Sequence, residues 1–110
     1  MPASTLKADQ VFNALGDPTR RAIVEQLSRG PSTVSRLAEP LDITLTAVRQ
    51  HLHVLEGCKL VSTRKVGRTR TCQLEKKGLA VIEDWIHAQR SMWDSALDNL
   101  GALLEEDGEP

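Results

Sequence analysis

A 19-residue stretch, ITLTAVRQHLHVLEGCKLV at 43–61, carries two rows of side chains with different chemistry. Val48, Leu52 and Leu55 recur at helical spacing and form one apolar stripe. The positions between them are polar and mostly uncharged: Thr46, Arg49, Gln50 and His53. Because a helix that only covers a core usually carries Glu and Lys on its outer face, this row predicts a helix whose outer face forms hydrogen bonds with a partner.

The polar row is suited to reading base edges in DNA. Arg and Gln pair bidentately with guanine and adenine, and Thr meets either a base or the thymine methyl group. We predict Arg49 and Gln50 as base readers, with phosphate contact or solvation as the alternative. Thr46 is a further candidate, although a residue in the first turn can equally serve packing at the helix start. Thr44 is predicted to cap the helix and to donate to a phosphate.

The two histidines of this stretch receive different interpretations. His53 lies one helical turn after Arg49, which makes it a candidate DNA contact, with solvation as the alternative. His51 borders the apolar stripe, so we interpret it as a structural histidine with partners in the same chain.

A second basic motif follows in the segment RKVGRTR at 64–70, which places four cations around a glycine. A glycine turn can approach a groove closely, and cations beside it can meet phosphates or enter the minor groove. Core packing does not explain a hairpin of this charge. The predicted DNA contacts therefore also include Arg64, Lys65, Arg68 and Arg70.

Charge is distributed unevenly along the chain, although its net value is only −1. Residues 1–42 sum to zero, residues 43–72 carry six basic side chains against one acidic, and residues 73–110 carry three basic against nine acidic. A local basic field of this kind is typical of a phosphate-binding surface. A merely solvated positive face is the alternative on charge alone.

The surrounding pattern predicts the elements that position these residues. The predicted helices are Leu6–Leu15, one that Asp17 caps, that begins at Pro18 and that Gly30 closes, a short one that a Ser/Thr start signal opens after Pro31 and that Pro40 ends, about Thr44 to Gly57, and about 28 residues from Lys76. A hairpin of Val61–Val66 and Thr69–Leu74 precedes the last helix. A short helix, a turn, a second helix and a two-stranded wing form the winged helix-turn-helix arrangement. We therefore predict a mainly α fold with a small β-hairpin, one DNA-binding domain over 1–104 that includes a dimerisation helix from about 76, and an acidic tail over 105–110.

The first and last predicted helices carry more apolar surface than a small domain can cover. Both fit a homodimer interface, whose two-fold axis would set paired wings on a roughly palindromic operator. The alternative is that these side chains fold back on their own subunit. The predicted interface residues are Phe12, Leu15, Ile86, Trp93 and Leu97.

Three phrases, ALGDPTRRAIVEQL, LAEPLDIT followed by AVRQHLHVLE, and GRTRTCQL, together resemble the ArsR-type family of bacterial winged-helix repressors. The resemblance implies a homodimer joined through the first and last helices, which represses its own operon and leaves DNA when an effector binds. The family's DNA-contact positions fall here on Thr44, Thr46, Arg49, Gln50, His53 and Arg68.

The family's metal sites find only weak candidates in this sequence. Many members carry a Cys-x-Cys pair before the recognition helix, where this chain reads TVSRLAEPL, so it resembles the subgroup that lacks that motif. Asp84 and His87 share one face of the last helix, but no second pair follows in the expected place. Cys58 and Cys72 are interpreted as buried structural thiols, with a redox sensor or a metalloid site as alternatives.

These patterns predict a homodimeric DNA-binding repressor with an unknown effector and no cofactor. A winged-helix module that contacts protein, without an operator, is the alternative. No Ser/His/Asp set or phosphate-cradling glycine loop is present, so an enzyme is set aside. The apolar runs are too short to cross a membrane, and no signal-peptide pattern opens the chain, so the expected location is the cytoplasm.

Overall fold

The structure, a computed structural model, describes the backbone of residues 3–107 and the side chains of residues 8–106. Within that range the chain forms five helices and three strands. Their order is α1 (Ala3–Leu15), α2 (Pro18–Leu27), β1 (Ser32–Thr33), α3 (Val34–Leu41), α4 (Leu45–Gly57), β2 (Val61–Val66), β3 (Thr69–Leu74) and α5 (Lys76–Asp107). The predicted winged helix-turn-helix order is confirmed.

The helix-turn-helix consists of α3 and α4, and each helix begins at a threonine cap. The hydroxyl oxygen of Thr33 accepts from Arg36 N at 3.3 Å, and that of Thr44 accepts from Ala47 N at 3.0 Å. Between the helices, Asp42 adopts a left-handed conformation with φ 52°. This residue turns the chain, so the short connection brings α4 back across α3.

The prediction that Pro40 ends the short helix was wrong by one residue, because α3 continues through Pro40 to Leu41. A proline removes one backbone N–H from the last turn, but it does not prevent its own carbonyl or its φ from being helical. The turn is completed by Asp42 N, which donates to Ala38 O at 3.1 Å. Leu41 also packs against the core, which favours keeping it helical.

The wing is an antiparallel hairpin whose predicted bounds are confirmed. Val66 pairs with Thr69, so the loop contains only Gly67 and Arg68. Gly67 has φ 63°, and glycine with a positive φ at the first loop position is what a type II′ turn requires.

A third strand, β1, pairs with β3 and gives the sheet order β1-β3-β2. Ser32 lies opposite Cys72, and Thr33 lies opposite Thr71. This strand was not predicted from the sequence, because two residues are too few to show a periodic pattern. Its consequence is structural: β1 leads directly into α3, so the wing is attached to the start of the helix-turn-helix.

The core lies where α1, α2, α3, α4 and the sheet converge. The largest side chains that are fully buried there are Val11, Ile23, Leu37, Val48, Leu55, Val61 and Cys72. The predicted stripe of α4 is confirmed as its buried face, since Val48, Leu52 and Leu55 all lie in the core. Burial of this stripe fixes which face of α4 points outward.

The last helix, α5, has 32 residues and is longer than predicted, since it continues to Asp107. At a rise of about 1.5 Å per residue it is about 48 Å long. It begins in close contact with the α4–β2 turn, where Gly78 N donates to Lys59 O at 2.8 Å. No helix within residues 3–107 is long and apolar enough to span a membrane.

Candidate nucleic-acid interface

The outer face of α4 brings together the four polar residues that were predicted to read bases. All four are exposed, and they line one shallow groove of about 390 Å³: Thr46, Arg49, Gln50 and His53. Because the opposite stripe of α4 is buried, rotation of the helix about its axis is restricted. The groove therefore presents a fixed row of donors and acceptors at the surface.

The start of α4 adds hydrogen-bonding groups to the same face. Thr44 caps the helix as predicted, because its hydroxyl oxygen accepts from Ala47 N. The hydroxyl can still donate, and the first backbone N–H groups of an α-helix have no partner within the helix. This helix end can therefore receive an anion beside the polar row.

A larger cleft of about 660 Å³ lies between the start of α3, the outer edge of α4 and the wing. Its residues come from three parts of the sequence that the fold brings together. They are Thr33, Val34, Ser35, Arg49, Lys65, Arg68, Thr69 and Arg70. Arg49 belongs to both the groove and the cleft, so the two surfaces are continuous.

The four cations of this cleft form no ion pair with any acidic side chain that the structure describes. Among the described residues, no ion pair or side-chain hydrogen bond involves Arg49, Lys65, Arg68 or Arg70. Lys65 and Arg70 also lie directly opposite each other across the hairpin, and like charges in that position destabilise a sheet. An anion such as a phosphate would relieve this repulsion and satisfy the unused donors.

Arg64 is the one predicted wing cation that does not line the cleft. It is exposed on β2 opposite Thr71. Because neighbouring residues of a strand point to opposite faces, Arg64 projects away from the side on which Lys65 lies.

Sequence analysis missed the contribution of Thr33 and Ser35 to this cleft. Ser/Thr before a helix was noted as a start signal, but only the pairing of β1 with β3 places that start beside the wing. The available signal was the cap itself, since a helix N-terminus is suited to bind an anion.

His51 lies on another flank of α4 and contacts α2, as the structural interpretation predicted. Its Nδ1 is 3.4 Å from the Arg20 guanidinium and 3.9 Å from Asp17 Oδ2. Asp17 caps α2 through a hydrogen bond from Arg20 N, and this bond is the main cause that lowers the pKa of the Asp17 carboxyl. His51 is therefore part of the attachment of α4 to the domain.

An apolar surface runs along α5, away from the groove and the cleft. Trp93 is 64% exposed and Leu97 is 61% exposed, and both line a depression of about 320 Å³ with Trp85 and Ile86. Of the two predicted interface residues on α1, Phe12 meets Trp85 edge-on with ring centroids 5.0 Å apart. The other, Leu15, is half-buried and packs against the core of its own subunit.

The two cysteines are free and buried in the core. Cys58 Sγ donates to Leu55 O at 3.4 Å, and Cys72 lies in the middle of the sheet on β3. Burial raises the pKa of both thiols, so both favour the protonated and unreactive form. Asp84 and His87 are exposed on α5, and the described residues contain no group of three or more His, Cys, Asp or Glu that could hold a metal ion.

Two capped helices joined by a left-handed residue, with a cationic hairpin beside the second, define a winged helix-turn-helix protein.

Known proteins share this architecture and much of the sequence. A family model described as a helix-turn-helix domain matches residues 15–64. The chain is 40% identical over 101 residues to the HTH-type transcriptional regulator Rv2034 of Mycobacterium tuberculosis, with 92% of each chain covered. It is 33% identical over 60 residues to the transcriptional repressor SdpR of Bacillus subtilis, which covers 54% of this chain and 67% of that one.

A solved structure agrees with these relatives. The crystal structure of an ArsR family transcriptional regulator, RHA00566, superposes with a TM-score of 0.78 at 43% identity, over 86% of this chain and 98% of that one. The chain therefore belongs to the ArsR family of winged helix-turn-helix transcriptional regulators. The resemblance inferred from the sequence is confirmed.

Proposed function

We propose that the protein is a homodimeric, sequence-specific DNA-binding repressor that acts at the promoter of its own gene. The observation that carries this proposal is the cleft whose four cations, unpaired among the described residues 8–106, adjoin the polar row of α4. Repression is supported by the similarity to SdpR, which is named a transcriptional repressor.

In the proposed complex, α4 enters the major groove. Its N-terminal half presents Thr46, Arg49 and Gln50 to base edges, and His53 lies one turn further along. The hydroxyl of Thr44 and the start of α4 contact a phosphate of the same groove.

The wing acts on the adjacent backbone. Arg68 lies at the tip of the hairpin, where the two-residue turn lets the backbone come close to the duplex. Lys65 and Arg70 follow behind it and neutralise phosphates, and the exposed Arg64 on the other face of β2 meets the neighbouring strand or solvent. This division assigns base reading to α4 and phosphate binding to the wing.

We propose that α5, together with α1, forms the dimer interface. Nine large apolar side chains of α5 are at least 41% exposed within one subunit: Leu79, Trp85, Ile86, Met92, Trp93, Leu97, Leu100, Leu103 and Leu104. A soluble monomer rarely exposes a continuous apolar surface of this extent. A second copy related by a two-fold axis would cover it and would place two α4 helices on successive turns of DNA.

A fluorescence anisotropy titration with duplex DNA from the region upstream of the gene tests the proposal. The protein is expected to bind this duplex in preference to one of scrambled sequence. Arg49→Ala and Arg68→Ala are each expected to weaken binding at least about tenfold, because each removes a cation that meets DNA. Circular dichroism serves as the control for folding, since both residues are exposed.

The same material tests the dimer by light scattering coupled to size exclusion. A dimer at micromolar concentration agrees with the proposal. Repression is tested with a reporter gene under the same promoter, whose expression should be lower when the protein is present. A folded chain that binds upstream and scrambled duplexes equally, or binds neither, would refute sequence-specific recognition. Such a result would favour a winged helix that contacts protein.

A further inference from the structure

One guanidinium group connects three helices. Arg20, in the first turn of α2, donates from Nε to Ala14 O at 2.6 Å and from Nη2 to Asn13 O at 3.2 Å, both at the end of α1. Its remaining nitrogen, Nη1, lies 3.4 Å from Nδ1 of His51 on α4. The side chain therefore links the end of α1 to the recognition helix.

The chemistry of this link is directional. Because an Arg side chain only donates, a hydrogen bond between these two atoms requires Nδ1 of His51 to be the acceptor and the ring proton to be on Nε2. The 3.9 Å separation between His51 Nδ1 and Asp17 Oδ2 is too long for a hydrogen bond. Asp17 instead accepts from the backbone N–H of Arg20 at 2.9 Å, which fixes the base of the Arg20 side chain.

The next residue provides a natural comparison. Arg21 also caps α1, because its Nη1 donates to Leu15 O at 2.8 Å, but it is exposed and forms no hydrogen bond to α4 among the described residues. Both arginines therefore satisfy carbonyl groups at the end of α1. Arg20 alone extends that contact to the recognition helix among the bonds that the described residues form.

We propose that Arg20 is a positioning residue for DNA recognition, which sets the orientation of α4 relative to α1 without touching DNA. The inference rests on the proposed function, because the recognition helix and the subunit interface are assigned there. His51 lies on the flank of α4 that faces α2, while the polar row faces outward. A shift of α1, which packs against α5 through Phe12 and Trp85, reaches α4 through the Arg20 guanidinium.

A double-mutant cycle on operator affinity tests this role. Arg20→Lys keeps the charge but leaves one nitrogen in place of three, so it cannot bond α1 and His51 together. Arg20→Lys and His51→Ala are each expected to weaken DNA binding about 3- to 10-fold. Because both substitutions remove the same contact, the affinity of the double variant is expected to equal that of the single variant with the larger loss. Arg21→Lys is the charge-matched control and is expected to bind like the unmodified protein.

Amide hydrogen exchange on the DNA-free protein gives a second readout. Arg20→Lys is expected to speed exchange across 45–57 in α4, and Arg21→Lys is expected to leave that segment unchanged. This readout decides the inference even when the unmodified protein binds no DNA, in which case the proposed function fails separately.

Three results would overturn the inference. The first is additive losses in the cycle, and the second is an equal effect of Arg21→Lys on affinity or on exchange in α4. The third is global unfolding of Arg20→Lys, because Arg20 would then hold the whole fold together and would not specifically position α4.

Discussion

The salt dependence of DNA binding offers a direct measure of how many cations meet phosphates. The wing contributes three cations to the cleft of one subunit, Lys65, Arg68 and Arg70, so a dimer contributes six. If each neutralises one phosphate, the logarithm of the affinity should fall with the logarithm of salt concentration at a slope of about −5. Between about 50 and about 200 mM salt, that slope predicts a loss of affinity of about 10³-fold.

Removing one cation changes this slope by a predictable amount. Arg68→Ala removes two phosphate contacts per dimer, so the slope should become about −4 and the loss over the same salt range about 10²-fold. Arg49→Ala distinguishes two roles for that residue. An unchanged slope with reduced discrimination between sequences indicates base reading, and a shallower slope indicates phosphate contact.

The assay is a fluorescence anisotropy titration of the upstream duplex at a series of salt concentrations. Lys77→Ala is the matched control, since Lys77 is an exposed cation on α5 outside the cleft, and its slope should equal that of the unmodified protein. A slope shallower than about −2, or the same slope for Arg68→Ala and the unmodified protein, would refute the reasoning from the cleft.

Three further predictions concern the fold, the interface and the thiols. Gly78→Ala should lower the free energy of unfolding in urea by about 2 to 3 kcal/mol, because the added Cβ would lie 2.8 Å from Lys59 O and the backbone would have to shift. Trp93→Glu should convert the dimer to a folded monomer in light scattering, because it places a charge in the apolar face of α5. Cys58 and Cys72 should react with a chromogenic disulfide reagent far more slowly in the native protein than in urea, because burial raises the pKa of both thiols.

Two of these predictions have a matched control variant, and the third has a result that would contradict it. Gly57→Ala adds a Cβ with no heavy atom within 4 Å, so it should not destabilise the protein; an equal loss at Gly57 and Gly78 would contradict the close-contact reasoning. Ser95→Glu adds the same charge on the opposite side of α5 and should leave the dimer intact, whereas dissociation by Ser95→Glu would argue against the proposed face. Rapid reaction of either thiol at neutral pH would favour the redox alternative.

Local patterns predicted the elements that carry the DNA-contact residues. The bounds of the wing were predictable because both segments are rich in Val, Thr and Arg and flank a turn at Gly67. The orientation of α4 was predictable because one apolar stripe specifies one buried face. The end of α3 was placed one residue too early, because proline is unfavourable in a helix interior but Pro40 lies in the last turn. Asp42 N completes that turn by donating to Ala38 O.

Contacts between distant segments were not predictable in the same way. No sequence pattern assigns Ser32 and Thr33 to β3, so the attachment of the wing to α3 was missed. The segment DPTRR predicts the cap at Asp17, but it does not show which of Arg20 and Arg21 contacts α4. That contact depends on where α4 packs in the fold. These contacts are set by tertiary packing and require the structure.

The segregation of charge along the chain also favours one productive orientation on DNA. The segment that contains α4 and the wing carries +5, and residues 73–110, most of which form α5, carry −6. At physiological salt the Debye length is only about 8 Å, so the positive field of α4 and the wing and the negative field of α5 each act only near their own residues. The net charge of −1 therefore describes neither surface. Phosphates are attracted to the cleft and repelled from α5, which agrees with the proposal that the apolar face of α5 binds a second subunit. Reversing the acidic charges of α5 should therefore increase binding to scrambled duplex more than binding to the upstream duplex, because it adds attraction where no base is read.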